Sequence, residues 1–506
     1  MAKGNGRKAG NQLAFYIFIV FGLIFSIVSI NGFGLEFSDQ NIYIYMGRLI
    51  TEGSMPYRDF FFSHPPGEVY LDALIYAIFG FRLWAFKLLS LFAVLASAWY
   101  IYKIGEKHIG DGIGLLGSGL FLMTYETLRI SAGNIGMAWT VMLSVAGLYY
   151  LLQGKIDGNN YMALLSGILA GLAALFTMHA IPVAIGLAVV AMIEISFSKL
   201  RLKVRRFAFY LIGFLATFGL ISLLFLAMPG SSYYDQVIAY HLQKAAAPVS
   251  GIKLGLFWMM AKFNFLVFIG AALGIAIRDR KTSADSSQNR GLFPYVTLIA
   301  VYAVYLLLLK RWFPYYFFGA FPFLALLGAA GIAAIASRLK AGMKIAFWAM
   351  AILFLANIAF AASQYNWSMD NTFGGKGQGD LARLEQHVSS EDAIYGDYLF
   401  APILALRQGS RIVGNNVDTN PLRFETGNIE MAKEMQALKE AGVVYIVLRK
   451  SNEFMLNNQA GADYLDAANC TILENFEYYL PSYFAKQLAT DRLFLLRCGE
   501  GPKDAQ

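Results

Sequence analysis

The sequence predicts a polytopic α-helical membrane protein that ends in a soluble α/β domain, and three observations lead to this prediction. Hydrophobic residues make up 57% of the 506 residues and charged residues only 15%, whereas a soluble domain averages about 25% charged residues. About eleven apolar runs have roughly the length that crosses a bilayer. After residue 364 the polar content rises and short strand-like runs replace the long apolar ones. Lipid must therefore cover much of the surface of residues 1–363.

The apolar runs follow one another from the N-terminus to residue 363. They lie at 13–31, 83–102, 112–127, 132–152, 161–178, 180–197, 207–228, 264–278, 291–309, 316–336 and 344–363. The first run follows three basic residues, as a signal peptide would, but no small-residue cleavage site ends it. We therefore interpret it as a retained first span.

The basic residues between the runs predict the orientation in the membrane. The loop 199–206 holds five basic residues, and the loops near 103–107, 278–290 and 338–344 are also basic. With eleven spans, these four loops lie on the same side as the basic N-terminus, and the positive-inside rule makes that side cytoplasmic. We expect a cell-membrane protein with a cytoplasmic N-terminus and an extracytoplasmic C-terminal domain.

Two domains follow from this plan. Residues 1–363 form the transmembrane domain, with long external loops at 32–82 and 229–262, and residues 364–506 form the external domain. Strand-like runs begin near residues 393, 411, 443 and 494, and a helical stretch, Asn428 to Ala441, precedes the third, which is typical of an α/β domain. Cys470 and Cys498 either form a disulfide in an oxidising compartment or stay as two free thiols.

The net charge of +8 does not predict a nucleic-acid partner. The basic residues lie mostly in the short loops between the apolar runs, where they act as topology signals. A basic face that binds nucleic acid would need those charges to cluster on a soluble surface.

The first external loop carries the most informative motif. Asp39 stands just past the first span, and apolar residues then recur at helical spacing from Asn41 to Ile50, as in an interfacial amphipathic helix. The turns Gly53-Ser-Met-Pro56-Tyr57-Arg58-Asp59 and His64-Pro65-Pro66-Gly67 follow. A second motif, Lys310-Arg311-Trp-Phe-Pro314-Tyr315-Tyr316, stands at the outer end of a late run.

These motifs resemble those of the GT-C-fold glycosyltransferases that use polyprenyl-phosphate sugars, in particular the protein-mannosyltransferase and aminoarabinose-transferase type. The resemblance implies a GT-C fold, a lipid-linked sugar donor held at the membrane and transferase activity on the extracytoplasmic face. Two positions depart from the pattern. Asn134 stands where many members carry an Asp, and His179 stands where many carry Lys or Arg.

The reaction that the resemblance implies needs particular side chains. A carboxylate must deprotonate or orient the acceptor hydroxyl, and cations must stabilise the charge that grows on the leaving phosphate. Asp39 is the first candidate for the base, although it could instead cap the helix that follows. Asp59 is the second candidate, although it could simply pair with Arg58. The candidate donor phosphate-binding residues are Arg311, Lys310, His241 and Lys244.

Other partners and roles stay open at this point. Asp39, Asp59 and His64 are a candidate set of ligands for a divalent metal, but their spacing is not diagnostic. The acceptor can be a protein, a glycan, a lipid or a cell-wall polymer, and neither the sugar nor the carrier length is specified. The alternatives from other classes are a transporter or flippase of lipid-linked substrates and a non-catalytic assembly subunit. Transporters place ionisable residues near the midplane, whereas here they cluster at the ends of the runs.

Overall fold

The computed structural model describes residues 2–35, 38–133, 135–193, 200–243, 250–278, 286–309, 312–338, 342–369, 376–427, 429–450, 454–481 and 488–499. The helices before residue 370 are α1 Ala2–Asn31, α2 Asp39–Thr51, α3 Gly67–Phe79, α4 Leu83–Ile104, α5 Ile113–Leu122, α6 Tyr125–Ser131, α7 Ile135–Asp157, α8 Asn160–Phe176, α9 Ile181–Met192, α10 Leu200–Phe214, α11 Leu220–Ala227, α12 Tyr240–Gln243, α13 Ser250–Phe263, α14 Phe265–Arg278, α15 Ser286–Leu308, α16 Phe321–Ala336 and α17 Gly342–Met369.

The remaining elements alternate between helix and strand. They are α18 Lys376–Glu385, β1 Ala393–Gly396, α19 Ala401–Gln408, β2 Arg411–Ile412, α20 Pro421–Glu425, α21 Met431–Ala441, β3 Val444–Arg449, α22 Gln459–Ala467, β4 Thr471–Pro481 and β5 Leu488–Cys498.

The chain divides into two compact units. The helical unit comprises Met1–Phe33, Phe86–Leu224 and Ala245–Ser363. The mixed unit comprises Gly34–Ala85, Phe225–Lys244 and Gln364–Gln506. Parts of both predicted external loops thus belong to the same compact unit as the C-terminal residues.

The apolar helices of the described part of the chain confirm a multi-span membrane protein. Seven of them are long and apolar enough to cross a membrane, and the pair Lys253–Phe263 and Phe265–Ala276, bent by 91°, would make an eighth if it is one span. Three shorter apolar helices lie at Ile113–Leu122, Asn160–Phe176 and Met178–Met192. Each predicted run overlaps one of these elements, and the count of eleven spans stays a prediction.

Small residues let helices of the helical unit approach closely. A Cβ added at Gly274 of α14 would lie 2.3 Å from the carbonyl oxygen of Leu327 in α16, and one added at Gly331 of α16 would lie 2.5 Å from the backbone nitrogen of Gly274. Lipid tails are as apolar as the surfaces of the helices, so the hydrophobic effect does not drive membrane helices together. Close van der Waals packing of this kind holds them instead.

The mixed unit is built on a five-stranded sheet of order β2-β1-β3-β5-β4. Strands β2, β1 and β3 pair in parallel, whereas β5 is antiparallel to both β3 and β4. The four strand-like runs of the sequence correspond to β1, β2, β3 and β5, and the predicted helical stretch corresponds to α21. Tyr395, Leu438, Val444 and Ile446 are among the fully buried residues of the core between the sheet and α21. The α/β character predicted for this region is confirmed.

The two cysteines are joined in a disulfide. Cys470 stands directly before β4, and Cys498 ends β5, so the bond closes the open end of the antiparallel strand pair. Of the two alternatives that the sequence left open, the structure has the disulfide.

Helices α2 and α3 pack closely against each other at the start of the mixed unit. A Cβ added at Gly47 of α2 would lie 2.9 Å from the backbone nitrogen of Ala73 and from the carbonyl carbon of Asp72 in α3. No larger residue fits between the two backbones, so Gly47 sets how α2 lies on α3.

Candidate functional site

Helix α2 carries Asp39 at its first residue. Ser38 is the N-cap residue, with φ −145° and ψ 168°, and Asp39 already has a helical conformation. The capping alternative for Asp39 therefore does not describe the structure. A carboxylate in the first turn is favourable in any case, because the positive end of the helix dipole lies there.

Polar contacts hold α2 against the sheet and against the segment that follows α19. The hydroxyl of Tyr45 accepts a hydrogen bond of 2.8 Å from the backbone N–H of Ile412 in β2. The guanidinium of Arg48 donates to the carbonyl oxygens of Ser410 and Gly409 at 2.9 and 3.0 Å, just beyond the C-terminus of α19. These contacts place α2 alongside α19, and so define where Asp39 lies within the mixed unit.

The Asp39 carboxylate is exposed and lies close to Tyr398. Burial raises the pKa of the Tyr398 hydroxyl to about 12, and the charge of Asp39 adds to this shift. Tyr398 therefore keeps its proton at neutral pH and can donate a hydrogen bond. The guanidinium carbon of Arg449 lies 5.6 Å from the centre of the Tyr398 ring. Arg449 in turn pairs with the buried Asp397 at 3.0 Å.

A histidine pair lies near the same end of α2. Tyr43 follows Asp39 by one helical turn, so the Cβ atoms of the two residues are about 5–6 Å apart. The Tyr43 ring meets the His64 ring edge-on at 5.7 Å, and the His64 and His241 rings are also 5.7 Å apart. His241 donates from Nε2 to the carbonyl oxygen of Ser63 at 2.7 Å. The structure thus brings His64 and His241 together within reach of the Asp39 turn.

The Pro-Tyr-Arg-Asp turn adopts an unusual conformation. Tyr57 has φ +67°, a region that non-glycine residues avoid unless surrounding contacts impose it. Its side chain is 1% exposed, and its hydroxyl donates to the carbonyl oxygen of His64 at 2.7 Å. The Tyr57 carbonyl accepts from the backbone N–H of Ser232 at 2.8 Å. The strained turn is thus hydrogen-bonded to His64 on one side and to Ser232 of the second external loop on the other.

Asp59 has a partner of its own in this turn. Arg58 donates to its two carboxylate oxygens at 2.9 and 2.7 Å, and the Met55 backbone N–H donates at 2.8 Å. The hydrogen bond from Arg58 is the main reason that the pKa of Asp59 is lowered. The pairing with Arg58 that the sequence offered as the alternative is present, and a catalytic role for Asp59 stays a prediction.

Three of the predicted phosphate-binding residues, Lys244, Lys310 and Arg311, lie outside the described residues, as does Asn134. Residues on either side of the late motif are described, and they belong to the helical unit. Lys253 donates from Nζ to the carbonyl oxygen of Leu309 at 2.5 Å, immediately before Lys310.

The tyrosines after the late motif surround His179. Its Nδ1 lies 2.6 Å from the hydroxyl of Tyr305, and its ring centre lies 4.1 Å from that of Tyr316. The Tyr302 hydroxyl donates to the Tyr316 carbonyl at 2.7 Å. His179 and the Pro-Tyr-Tyr segment therefore form one polar cluster, a meeting that no local pattern of the sequence predicts.

The described residues do not assemble the candidate metal set. No three or more His, Cys, Asp or Glu side chains in this part of the chain come together in a group that could hold a metal ion. A divalent-ion requirement stays a prediction of the sequence.

Sequence reasoning missed Tyr43, Tyr398, Arg449 and Asp397. Tyr43 had a local signal, because it stands four residues after Asp39 and so shares its helix face. The other three had none, because they belong to a sheet region more than three hundred residues away along the chain. Only folding of the mixed unit brings them to α2.

Comparisons with known proteins agree with this fold. The family model of dolichyl-phosphate-mannose-protein mannosyltransferases matches residues 63–229. A search of the curated proteins finds no match to the sequence. The structure of ArnT from Cupriavidus metallidurans bound to undecaprenyl phosphate is similar with a TM-score of 0.63 at 14% identity, covering 95% of this chain and 97% of that one.

Two further structures are similar over most of the chain. The apo state of the same ArnT has a TM-score of 0.63 at 12% identity and covers 96% of this chain and 98% of that one. The archaeal oligosaccharyltransferase AglB from Archaeoglobus fulgidus, in complex with an inhibitory peptide and a dolichol-phosphate, has a TM-score of 0.50 at 13% identity. It covers 94% of this chain and 74% of that one.

The structural matches extend over nearly the whole chain, and the family match over residues 63–229 agrees with them. The chain therefore has the multi-span GT-C fold with a C-terminal sheet domain, and its resemblance to the glycosyltransferases that use polyprenyl-phosphate sugars is confirmed.

Proposed function

We propose that this protein transfers a sugar from a polyprenyl-phosphate donor to an acceptor hydroxyl, with Asp39 as the base. One observation carries the proposal. Asp39 is an exposed carboxylate at the start of an anchored helix, it lies close to the protonated Tyr398, and Tyr43 one turn later contacts His64. This arrangement gives a base, a hydrogen-bond donor that orients it, and imidazole groups nearby.

The proposed step is a displacement at the anomeric carbon of the donor sugar. The acceptor oxygen forms a bond to that carbon while the bond between the carbon and the phosphate oxygen breaks. The acceptor proton passes to the Asp39 carboxylate, and polyprenyl phosphate leaves with the electron pair. A positioned general base contributes typically 10²–10⁴-fold in such reactions.

Within this scheme, Tyr398 acts as a positioning residue. Its protonated hydroxyl lies close to the Asp39 carboxylate, and in the proposed step it donates to that carboxylate and keeps it turned toward the acceptor. The Arg449 guanidinium above the ring and the buried Asp397 beside Arg449 limit the rotation of Tyr398. A buried ion pair of this kind resists removal of either partner, because the other charge would be left unpaired.

The donor class is supported by the structures that share the fold. One similar structure was obtained with undecaprenyl phosphate and another with a dolichol-phosphate. The leaving phosphate needs cations, and Arg binds phosphate through two parallel hydrogen bonds. Arg311, with Lys310, His241 or Lys244, is the proposed phosphate-binding set.

We also propose that the mixed unit works on the extracytoplasmic side and that the N-terminus is cytoplasmic. The distribution of basic loops supports this orientation. The disulfide between Cys470 and Cys498 supports it independently, since disulfides persist in oxidising compartments and are rare in the cytosol.

The test is Asp39→Asn in the purified full-length protein, with transfer measured as release of polyprenyl phosphate from a lipid-linked sugar. We expect turnover to fall by about 10²–10⁴, while donor binding and folding stay as in the parent. Asn keeps the size and the hydrogen bonding at the first helical residue but removes basicity.

Asp59→Asn is the matched control, because it changes a carboxylate in the same loop that already pairs with Arg58. Near-normal turnover by the Asp39 variant would remove Asp39 as the base and make Asp59 the next candidate. Transport of a lipid-linked substrate across the membrane without sugar release by the parent would favour the flippase. Neither activity in the parent would favour an assembly subunit.

A further inference from the structure

The first turns of α10 carry a basic surface that the proposed reaction does not use. Residues 193–206 contain five basic residues, and Glu194 is the only acidic one. Arg201 and Arg205 are exposed. In the part of the chain that the structure describes, no carboxylate forms an ion pair with either of them. The surface therefore has an excess of positive charge and is open to a ligand.

The two arginines stand where the chain enters the membrane. A helix long and apolar enough to span the bilayer begins at Arg201 and ends at Ala227. Arg205 follows Arg201 by four residues, and Ile212 follows Arg205 by seven, so the three residues share one face of the helix. Ile212 and Leu215, one turn later, are exposed as well. This face thus presents two cations and then apolar side chains.

Packing against α8 occupies the opposite face of α10. A Cβ added at Gly213 would lie 2.2 Å from the carbonyl oxygen of Leu164 in α8, and one added at Gly167 of α8 would lie 1.9 Å from the carbonyl oxygen of Tyr210. At 3.6 residues per turn, Tyr210 lies on the side of the helix opposite Arg201. The face with the arginines is therefore turned away from α8 and toward the lipid.

Aromatic side chains hold Arg205 next to the first turn of α8. The guanidinium carbon of Arg205 lies 5.6 Å from the centre of the Phe209 ring, a cation–π contact that orients the guanidinium. The Phe209 ring meets the ring of Tyr161 edge-on at 5.8 Å. Tyr161 is the second residue of α8 and is 71% exposed, as is typical of tyrosines at the level of the lipid headgroups.

The chemistry of this surface selects one class of lipid. The phosphate of a lipid accepts two parallel hydrogen bonds from a guanidinium, and basic clusters at the end of a span attract anionic headgroups. A zwitterionic lipid carries an ammonium beside its phosphate, and the arginines repel that group. A free phosphate ion gains nothing from the exposed apolar side chains of Ile212 and Leu215.

We propose that the start of α10 binds one anionic glycerophospholipid, with Arg201 and Arg205 on its phosphate and Tyr161 beside its headgroup. Its acyl chains lie along Ile212 and Leu215. The chain enters the mixed unit at Phe225, about 36 Å along the helix from Arg201. The site is therefore separate from the proposed reaction and does not depend on it.

The experiment counts bound lipid on the delipidated full-length protein in a non-ionic detergent. Native mass spectrometry follows titrations with phosphatidylglycerol and, separately, with phosphatidylcholine of the same acyl chains. We expect one molecule of phosphatidylglycerol to bind at least about tenfold more tightly than phosphatidylcholine, a difference of about 1.4 kcal/mol.

Variants locate the binding. The double variant Arg201→Gln and Arg205→Gln should bind phosphatidylglycerol about tenfold more weakly, close to the affinity for phosphatidylcholine. Its matched control is Arg338→Gln with Lys344→Gln, which removes two exposed basic residues from another basic loop and should bind phosphatidylglycerol as the parent does. The double variant Arg201→Lys and Arg205→Lys keeps the charge but loses the paired hydrogen bonds, so its affinity should also fall.

Each outcome decides the proposal. Equal affinity of the parent for the two lipids would overturn it, as would equal losses in the glutamine variant and its control. Full affinity in the lysine variant would show that charge alone attracts the lipid and that no phosphate site exists. Displacement of phosphatidylglycerol by inorganic phosphate would make this a simple anion site. Displacement by undecaprenyl phosphate would assign the site to a polyprenyl carrier and overturn the assignment to a glycerophospholipid.

Discussion

At the residue scale, Tyr398 connects the candidate base to the sheet. We expect Tyr398→Phe to lower turnover by about 10- to 100-fold, because a hydrogen bond to a charged group contributes about 1.5–3 kcal/mol. Loss of that donor destabilises the charged form of Asp39, so the acid limb of the pH–rate profile should move to higher pH. The measurement is the pH dependence of kcat/KM.

Tyr445→Phe, which removes a hydroxyl from β3 of the same sheet, is the control and should leave the profile unchanged. An unchanged pH profile in the Tyr398 variant would show that its hydroxyl does not act on Asp39, even if the rate falls.

A second residue, Asp72 of α3, is a buried carboxyl group outside the candidate site. Its side chain is 1% exposed, and neither of its oxygens has a hydrogen-bond partner among the described residues. Burial, and then the charge of Glu68, raise its pKa well above the ordinary value. We infer that Asp72 is protonated in the folded protein.

This state has a consequence for stability. A carboxyl group whose folded pKa is raised stabilises the fold below its unfolded pKa, near 3.9. The contribution is lost as the pH rises toward the folded pKa, because only the unfolded state then releases the proton.

We therefore expect Asp72→Asn to raise the thermal midpoint at pH 7 and to have little effect at pH 4. Thermal unfolding of the parent and the variant across this range is the measurement. A lower midpoint for the variant at pH 7 would mean that Asp72 is charged and paired.

At the scale of elements, the contact between α2 and α19 determines where Asp39 lies. Arg48 donates to the carbonyl oxygens of Gly409 and Ser410, which directly follow α19. Its side chain is 14% exposed, so water replaces it poorly. We expect Arg48→Ala to destabilise the mixed unit by about 2–3 kcal/mol, because its hydrogen bonds are charge-assisted. Denaturant unfolding followed by hydrogen exchange in α19 would measure this.

Glu52→Gln is the control for this element. Glu52 pairs with Arg48 at 2.7 Å, but its side chain is 50% exposed, and such a pair contributes at most about 1 kcal/mol. If both variants lose the same free energy of unfolding, Arg48 stabilises the mixed unit through its pairing with Glu52 and not through its contact with α19.

At the scale of the whole molecule, the disulfide closes a segment with a sequence separation of 28 residues. Chain-entropy arguments give about 3–4 kcal/mol for a loop of this length. We expect the double variant Cys470→Ser and Cys498→Ser to unfold at a clearly lower temperature. Thiol labelling of the unreduced parent should detect no free cysteine, and full labelling without reductant would contradict the disulfide.

Orientation in the membrane is tested by single cysteines introduced at exposed positions. Arg205 lies in the basic segment 199–206, and the structure places it near the start of α10, whereas Lys439 lies on α21 of the mixed unit; each is replaced by Cys in turn. A membrane-impermeant thiol reagent applied to intact cells should label position 439 and not position 205. Labelling of both from one side would contradict the proposed orientation.

The sequence by itself determined the membrane class, four of the five strands, the helix α21 and the motif around Asp39. These features depend on local patterns of polarity and spacing, which the chain carries whatever its tertiary structure. Strand β4 was missed because it lies at the edge of the sheet and carries Glu474, Asn475 and Glu477. These polar residues hide the apolar pattern of a strand.

Only the tertiary structure decided which residues surround Asp39. Tyr398 comes close to Asp39 of α2 because the sheet folds and α19 packs along that helix, a contact between segments far apart in the chain. The contact between Phe61 and the Arg423 guanidinium likewise joins two segments far apart in the chain. The composition of a segment indicates whether it faces lipid or water. Which distant side chains contact one another depends instead on close packing, which no local pattern encodes.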